Sequence, residues 1–158
     1  MKLAVIGVGK LKEKHFRQAA DEYRKRLGRF VQIEEIEVQD RPEPANSSEA
    51  IQRRIMDEEG RDILARIRED DLVTALCIDG KEMDSVAFAN HLSAMMARGR
   101  RIVFVIGGSL GLSQAVLERA DARLSFSPMT FPHQLARIML LEQIYRACKI
   151  QAGERYHK

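Results

Sequence analysis

The chain has 158 residues, of which 45% are hydrophobic and 31% are charged, and its formal net charge is +3. This length suits a single domain spanning residues 1–158, and the composition excludes a collagenous or low-complexity chain. No apolar run approaches the ~20 residues needed to cross a membrane. Cys77 and Cys148 stand alone, which argues against a disulfide framework and favours a reducing, cytoplasmic location.

Charge is distributed unevenly along the chain. Residues 1–30 carry 9 Lys and Arg against 3 acidic residues, and residues 91–158 carry 10 against 4, whereas residues 31–90 carry 7 against 16. If the two ends meet in space, they form a positive face that suits a polyanionic partner. Solvated helix faces explain the same distribution, so charge alone does not choose between the two interpretations.

The pattern of apolar residues predicts an α/β domain. Short apolar runs, typical of strands, alternate with segments of helical periodicity, and this alternation favours a largely parallel sheet. Asp79-Gly80-Lys81 is predicted to form a turn after the third strand. The predicted strands are 2–8, 31–38, 72–78, 102–106 and 124–126, and the predicted helices are 13–27, 49–67, 85–98, 114–119 and 132–150.

The most informative stretch follows the fourth predicted strand. Five apolar residues end at Ile106 and give way to Gly107, Gly108 and Gly111, where bare backbone allows a ligand to approach closely. A buried strand that ends in glycines before a helix is typical of an α/β ligand site. A tight turn that binds nothing has the same spacing.

The last predicted helix, 132–150, is apolar on more than one face. A surface helix needs only one apolar stripe, so the second face predicts contact with another subunit. Residues 127–133 form a proline-containing loop that leads into this helix. The remaining segment, 151–158, has no periodicity and by itself is expected to fray.

The sequence lacks the usual patterns of metal-assisted or covalent catalysis. The four histidines lie far apart without carboxylates at ligand spacing, and neither a Walker phosphate loop nor a Gly-x-Ser-x-Gly elbow is present. A pocket built from backbone and apolar walls favours a purine-bearing cofactor. Group transfer from such a cofactor depends mainly on positioning the donor and acceptor.

Four ordered motifs resemble the ribosomal RNA large subunit methyltransferase H family, which consists of small bacterial SPOUT-class enzymes. They are VIGGSLGL at 105–112, SFSPMTFPHQLAR at 125–137, LEQIYRA at 141–147 and the terminal YHK at 156–158. The opening segment MKLAVIGVGK extends the resemblance over the full length.

The resemblance implies a parallel-sheet α/β fold with a C-terminal trefoil knot and a homodimer. It also implies S-adenosyl-L-methionine as the methyl donor, with no metal and no membrane. The implied acceptor is N3 of a pseudouridine in the helix 69 loop of 23S rRNA, modified on the assembled 70S ribosome.

The family's cofactor-binding positions are carried over to this sequence where the motifs match. They lie at the end of the third strand, in the glycine loop and in the loop before the last helix. The implied cofactor-binding residues are Leu76, Gly107, Gly108, Phe126, Ser127, Pro128, Met129, Thr130 and Phe131.

The resemblance implies that the C-terminal residues reach across the dimer and complete the partner's active site. His157 is the candidate general base, since an imidazole exchanges protons near neutral pH. Tyr156 is expected to stack or hydrogen-bond, and Lys158 to contact phosphate or base. Arg137 and His133, beside the cofactor loop, are lesser candidates.

Ribosome docking would use basic surface residues, for which Arg17, Lys25, Arg29 and Arg123 are candidates. Two other functions are compatible with parts of the sequence. One is a non-catalytic ribosome- or RNA-binding factor with a vestigial cofactor pocket. The other is a nicotinamide-dependent oxidoreductase, which rests on Gly7-Val8-Gly9 alone, and Lys12 stands where the third glycine of that fingerprint belongs.

Overall fold

A computed structural model describes all residues, 1–158, as five strands alternating with five helices. Serine and aspartate side chains at Ser48, Asp84 and Ser113 accept a backbone N–H and so begin three of the helices. The elements in chain order are β1 (Lys2–Val8), α1 (Lys14–Leu27), β2 (Gln32–Val38), α2 (Glu49–Leu64), β3 (Leu72–Glu82), α3 (Ser85–Ala97), β4 (Ile102–Ile106), α4 (Gln114–Arg119), β5 (Ala122–Ser125) and α5 (His133–Gln151).

The strands form one sheet in the order β2-β1-β4-β3-β5, and every neighbouring pair is parallel. The predicted parallel α/β architecture is therefore confirmed. All five strands end at the same edge, so the loops that follow β1, β3, β4 and β5 meet there. This edge is the usual position of a ligand site in such a sheet.

The sheet is covered on both faces. One face packs against α1, α3 and α5 in a cluster of 20 buried apolar residues, and the other packs against α2 and α4 in a cluster of nine. The central strands β1 and β4 contribute to both clusters, which explains why their sequences are almost continuously apolar. Cys148 lies in the larger cluster, where burial raises the pKa of its thiol to about 11.

The turn predicted at Asp79-Gly80-Lys81 is wrong, because β3 continues to Glu82 with a register shift against β5. A Cβ atom on Gly80 would lie only 2.5 Å from the backbone carbon of Leu124. The glycine therefore lets β5 lie directly against β3. The predicted bounds of six other elements also shift. The helix α2 ends at Leu64 and β5 covers Ala122–Ser125, while α1, β2, α3 and α5 differ by one residue at one or both ends.

The last helix, α5, buries one face completely against the sheet and neighbouring helices. Its other apolar side chains, which include Ile138, Tyr145 and Ile150, are only partly buried in one chain. The second apolar face that was predicted for this helix is therefore a surface whose side chains are only partly covered. No helix of the chain is long and apolar enough to cross a membrane.

Candidate functional site

A cavity of about 740 Å³ lies at the carboxyl edge of the sheet. It is bounded by residues 76–78 in the middle of β3, the glycine loop after β4, the loop after β5 and the first turn of α5. Its size falls within the range of pockets that hold cofactor-sized molecules. We call it the cofactor cavity.

Eight of the nine residues predicted to bind cofactor line this one cavity, although they come from three separate segments. Pro128 is the exception and does not line it. The eight residues are Leu76, Gly107, Gly108, Phe126, Ser127, Met129, Thr130 and Phe131.

The glycine loop owes its composition to its own packing. A Cβ atom on Gly107 would lie 2.7 Å from the carbonyl carbon of Gly111, and one on Gly108 would lie 3.2 Å from the Val8 side chain. Gly111 itself has φ +89°, which disfavours any larger residue. The loop therefore folds tightly, and at its three glycines it presents bare backbone to the cavity.

The loop after β5 is held by short-range hydrogen bonds. The Ser125 hydroxyl donates to the Ser127 carbonyl at 3.1 Å, and the Ser127 hydroxyl accepts from the Met129 N–H at 3.0 Å. The Met129 side chain stands at the cavity mouth and is 72% exposed. Together with Phe126 and Phe131 it supplies apolar surface that suits an adenine ring and a methionyl chain.

No Asp, Glu, Lys or Arg lines the cofactor cavity. His133, its one basic side chain, has a pKa lowered by burial, with Asp40 opposing that shift. Burial also raises the pKa of Cys77. Both groups are therefore held in their neutral forms, so the wall of the cavity carries no fixed positive charge.

Glu59, on α2, supports the glycine loop from below. Its side chain is buried, its Oε2 accepts the Arg41 N–H at 3.0 Å, and its Oε1 would lie 3.4 Å from a Cβ on Gly108. Burial raises the pKa of this carboxyl group. The periodicity of α2 gave no reason to single it out among the charges of that helix.

The C-terminal residues do not line the cofactor cavity of their own chain. Instead they fold back on α5, where the Tyr156 hydroxyl donates to Glu142 Oε1 at 3.0 Å and its ring meets Tyr145 edge-on at 5.0 Å. The Arg146 guanidinium lies 4.6 Å from the Tyr156 ring centre, and its Nη1 is 3.3 Å from His157 Nδ1. Lys158 is exposed.

His157 lines a smaller neighbouring cavity of about 480 Å³, which shares Leu124, Ser125 and Phe126 with the cofactor cavity. Burial, followed by the hydrogen bond to Glu142, raises the pKa of Tyr156. The tail is therefore ordered against α5 rather than frayed. The residues that hold it, Glu142 and Arg146, were missed at the sequence level, although their i, i+4 spacing is that of a helical ion pair.

Arg137, expected beside the cofactor loop, lies instead beneath β1. It is 2% exposed and its Nη2 donates to the Gly9 carbonyl at 2.9 Å. A Cβ atom on Gly7 would lie 2.6 Å from that nitrogen. Because the guanidinium fills the space over Gly7, nothing in the Gly7-Val8-Gly9 segment favours a dinucleotide.

Three of the four candidate docking residues are engaged within the chain. Arg17 donates to the carbonyls of Leu11 and Lys12, Arg29 pairs with Glu154, and Arg123 donates to the Leu117 carbonyl; Lys25 is exposed. No group of three potential metal ligands comes together.

Comparison with known proteins leads, over the full length, to the family that the four motifs resemble. The family model described as "Predicted SPOUT methyltransferase" matches residues 1–157. The chain belongs to the SPOUT methyltransferase family. It is 52% identical to the ribosomal RNA large subunit methyltransferase H of Streptococcus thermophilus and 51% identical to that of Bifidobacterium adolescentis, with 100% of each chain covered. A third relative, ribosomal RNA large subunit methyltransferase H 1 of Clostridium perfringens, is 50% identical over the same extent.

The resemblance drawn from the four motifs is thereby confirmed. An enzyme of the SPOUT methyltransferase family needs a site for a methyl donor. The cofactor cavity is therefore the candidate for that site. The residues that would hold the donor are the backbone of the glycine loop and the apolar side chains of the loop after β5.

Proposed function

We propose that this protein transfers a methyl group from S-adenosyl-L-methionine to N3 of a pseudouridine in the helix 69 loop of 23S rRNA. The reaction takes place in the cytoplasm on the assembled 70S ribosome. The observation that carries this proposal is the cofactor cavity, whose lining joins three segments that resemble the family's motifs. The printed names of the relatives, all ribosomal RNA large subunit methyltransferases, support an rRNA substrate.

The cofactor fits the cavity for electrostatic and steric reasons. Apolar walls take the adenine and the methionyl chain, and exposed backbone groups of the glycine loop can hydrogen-bond their polar atoms. The neutral state of His133 leaves the sulfonium free of a like charge. When bound, S-adenosyl-L-methionine supplies a methyl group on an electrophilic sulfur.

The residues of the C-terminal tail bind the acceptor base and remove its N3 proton. His157 would accept the N3 proton as the base is methylated, once its Nδ1 has left the Arg146 guanidinium. Tyr156 orients the base by stacking or hydrogen bonding, and Lys158 contacts a phosphate. Glu142, through its hydrogen bond, and Arg146, over the ring, fix the Tyr156 side chain and so act as positioning residues.

The active form is proposed to be a homodimer in which each tail completes the partner's site, and the last elements are proposed to form the trefoil knot. Two observations support the dimer. The tail of one chain lies outside its own cofactor cavity, and α5 keeps apolar side chains that are only partly covered. Such a half-covered surface is typical of an oligomer interface.

A methylation assay on intact ribosomes lacking this modification tests the proposal. The purified protein and labelled S-adenosyl-L-methionine should modify 70S ribosomes, and mass mapping should locate one added methyl group on N3 of a helix 69 pseudouridine. Calorimetry should show cofactor binding that is weakened by Thr130→Arg, which places a cation at the cavity. Methylation of a different nucleotide would refute the substrate, and absence of cofactor binding would refute the reaction.

A further inference from the structure

A second polar cavity, which we call the β1–β2 pocket, opens beside the first turns of α5. It measures about 490 Å³ and is walled by the loop after β1, by α1, by β2 and by Arg137. None of its lining residues lines the cofactor cavity. Ten residues form its walls, and only Leu11 and Ala20 are apolar, so this is not a pocket for a hydrophobic ligand.

One buried carboxylate oxygen in this pocket has no hydrogen-bond partner, and a buried guanidinium lines the same pocket. The Glu35 side chain is 7% exposed, and while its Oε2 accepts from Arg24, its buried Oε1 has no donor. The Arg137 side chain is 3% exposed and makes one hydrogen bond, to Gly9, whereas its Nη1 is 3.9 Å from Glu37 Oε1. Buried polar atoms without partners are costly and uncommon. The unpaired Glu35 Oε1 therefore indicates that a polar ligand with a hydrogen-bond donor belongs here.

The mouth of the pocket is positively charged and held in a fixed shape. Lys10 and Lys12 are exposed, and neither side chain forms an ion pair within the chain. Arg17 donates to the carbonyls of Leu11 at 3.1 Å and Lys12 at 2.6 Å, which anchors the loop that carries both lysines. In total five cationic side chains face three carboxylates, so the pocket favours an anionic ligand.

The side chains that line the pocket indicate which chemical groups the ligand carries. The pocket has no aromatic side chain on which a base could stack. Its lysines suit a phosphate, and Glu35 and Glu37, two residues apart on one face of β2, suit hydroxyl donors. A ribose-phosphate unit of RNA offers both an anionic phosphate and a donating 2′-hydroxyl.

We propose that the β1–β2 pocket binds one ribose-phosphate unit of an RNA strand, with the phosphate against Lys10 and Lys12 and the 2′-hydroxyl donating its one hydrogen to the carboxylate pair formed by Glu35 and Glu37. This inference rests on the proposed function, since it takes the substrate to be RNA. It adds a subsite that distinguishes RNA from DNA.

The position of the pocket suits a nucleotide close to the reacting one. His133 lines the cofactor cavity, and Arg137, one helical turn later on α5, lines the β1–β2 pocket. Four residues of an α-helix correspond to a rise of about 6 Å. A strand anchored in this pocket therefore passes beside the wall of the cofactor cavity, and its neighbouring nucleotide is brought towards the methyl donor.

The test measures binding of dye-labelled ten-nucleotide oligouridine RNA, and of the matching 2′-deoxy oligomer, to the whole protein by fluorescence anisotropy. The wild type should prefer RNA by about tenfold, the value of one hydrogen bond to a charged group. Glu37→Gln should reduce this preference to about twofold or less. The Glu37 side chain is 39% exposed, and a thermal melt of the variant checks that the change leaves folding intact.

Lysine variants test the interaction with the phosphate. The double change Lys10→Ala and Lys12→Ala should weaken both oligomers alike and lower the slope of log affinity against log salt by about 0.7 for each phosphate that is no longer neutralised. Lys25→Ala is the matched control, because Lys25 is an exposed lysine on α1 outside the pocket. Equal affinity for the two oligomers, or a double variant that behaves like the control, would overturn the inference.

The failures of this inference and of the proposed function are distinguishable. If both lysine and glutamate variants methylate ribosomes at the wild-type rate, the subsite is refuted and the methyltransferase function stands. If the pocket variants alter RNA binding as expected but the wild type methylates no ribosome, the subsite stands and the proposed reaction is refuted. Calorimetry with S-adenosyl-L-methionine should give the same affinity for all these variants.

Discussion

At the scale of single residues, the Tyr156 hydroxyl tests whether the tail is held for function. Tyr156→Phe removes the hydrogen bond to Glu142 Oε1 but keeps the ring against Tyr145. The free energy of unfolding should fall by no more than about 1 kcal/mol. Methyl transfer to ribosomes should slow by about tenfold, because His157 loses a fixed neighbour.

Tyr23→Phe is the control for that variant, since the Tyr23 ring also packs against Tyr145 but its hydroxyl makes no hydrogen bond within the chain. It should leave turnover unchanged. If both variants slow turnover equally, or if Tyr156→Phe turns over at the wild-type rate, the Glu142 contact has no role in positioning the tail.

His133 gives cofactor binding a defined dependence on pH. Burial lowers the pKa of this imidazole below its ordinary value of 6.5, so it is neutral at pH 7 and gains its proton only as the pH falls through the lowered pKa. The cation then faces the positive sulfonium. Affinity for S-adenosyl-L-methionine, measured by calorimetry, should therefore stay constant above pH 6.5 and fall only as the pH drops through the lowered pKa of His133.

His133→Gln should remove this loss of affinity at acidic pH. The matched control is His91→Gln, because burial also lowers the pKa of His91 but this residue lies outside the cofactor cavity. A wild-type affinity that rises on acidification, or an equal effect of the two variants, would contradict the electrostatic role given to His133.

At the scale of elements, the contact between β1 and α5 depends on the absence of a side chain at Gly7. In Gly7→Ala, the Cβ atom would meet Arg137 Nη2 at 2.6 Å and displace the guanidinium from the Gly9 carbonyl. Because this charge is buried, unfolding by urea should show a loss of about 2 kcal/mol. Gly28→Ala is the control, since Gly28 has ordinary helical angles and its Cβ would come no closer than 3.4 Å to another atom. A loss for Gly7→Ala no greater than that of the control would show that Arg137 relaxes freely.

The elements themselves were predictable because each shows a clear apolar period between turn-forming residues. The strand order was not, since pairing β1 with β4 depends on how the crossover helices pack and not on any local pattern. The error at Asp79-Gly80-Lys81 has the same origin. Gly80 serves close contact with β5 and not a turn, and only the neighbouring strand reveals this.

The sequence predicted most of the residues of the candidate site, but it did not predict how they are arranged in space or which residues support them. The motifs identified eight side chains or backbone segments that line one cavity, while Glu59, Glu142 and the β1–β2 pocket were missed. One signal was available for the pocket. Arg137 stands at the spacing of the buried residues Leu140, Leu141 and Ile144, so a charge on the core face of α5 already indicated a buried partner.

At the scale of the whole molecule, the basic ends of the chain come together. The basic segments 1–30 and 91–158 include α1 and α5, which pack on the same face of the sheet, and Arg29 of the first pairs with Glu154 of the second. The acidic middle segment supplies β2 and α2. The fold thus joins the two positive ends, although internal pairing of several arginines leaves fewer free cations than the sequence alone indicates.

The proposed exchange of tails between subunits has a decisive test in mixed dimers. One variant lacks residues 156–158 and keeps an intact cofactor cavity; the other keeps its tail but carries Thr130→Arg at an exposed position of the cavity wall. Each alone should be inactive. After subunit exchange, half of the dimers are mixed and each holds one complete site, so ribosome methylation should recover to about a quarter of the wild-type rate.

The control mixes the tail-deleted chain with a chain that carries both changes, and it should stay inactive because no dimer then contains a tail. If each tail served the cavity of its own chain, no mixture of the two single variants would recover activity. Contacts with Glu142 and Arg146 attach the tail to α5 and hold Tyr156 and His157 outside the cofactor cavity of their own chain. This position is consistent with a tail that completes the site of the partner subunit. Recovery in the mixture but not in the control therefore requires that a site is built from two chains.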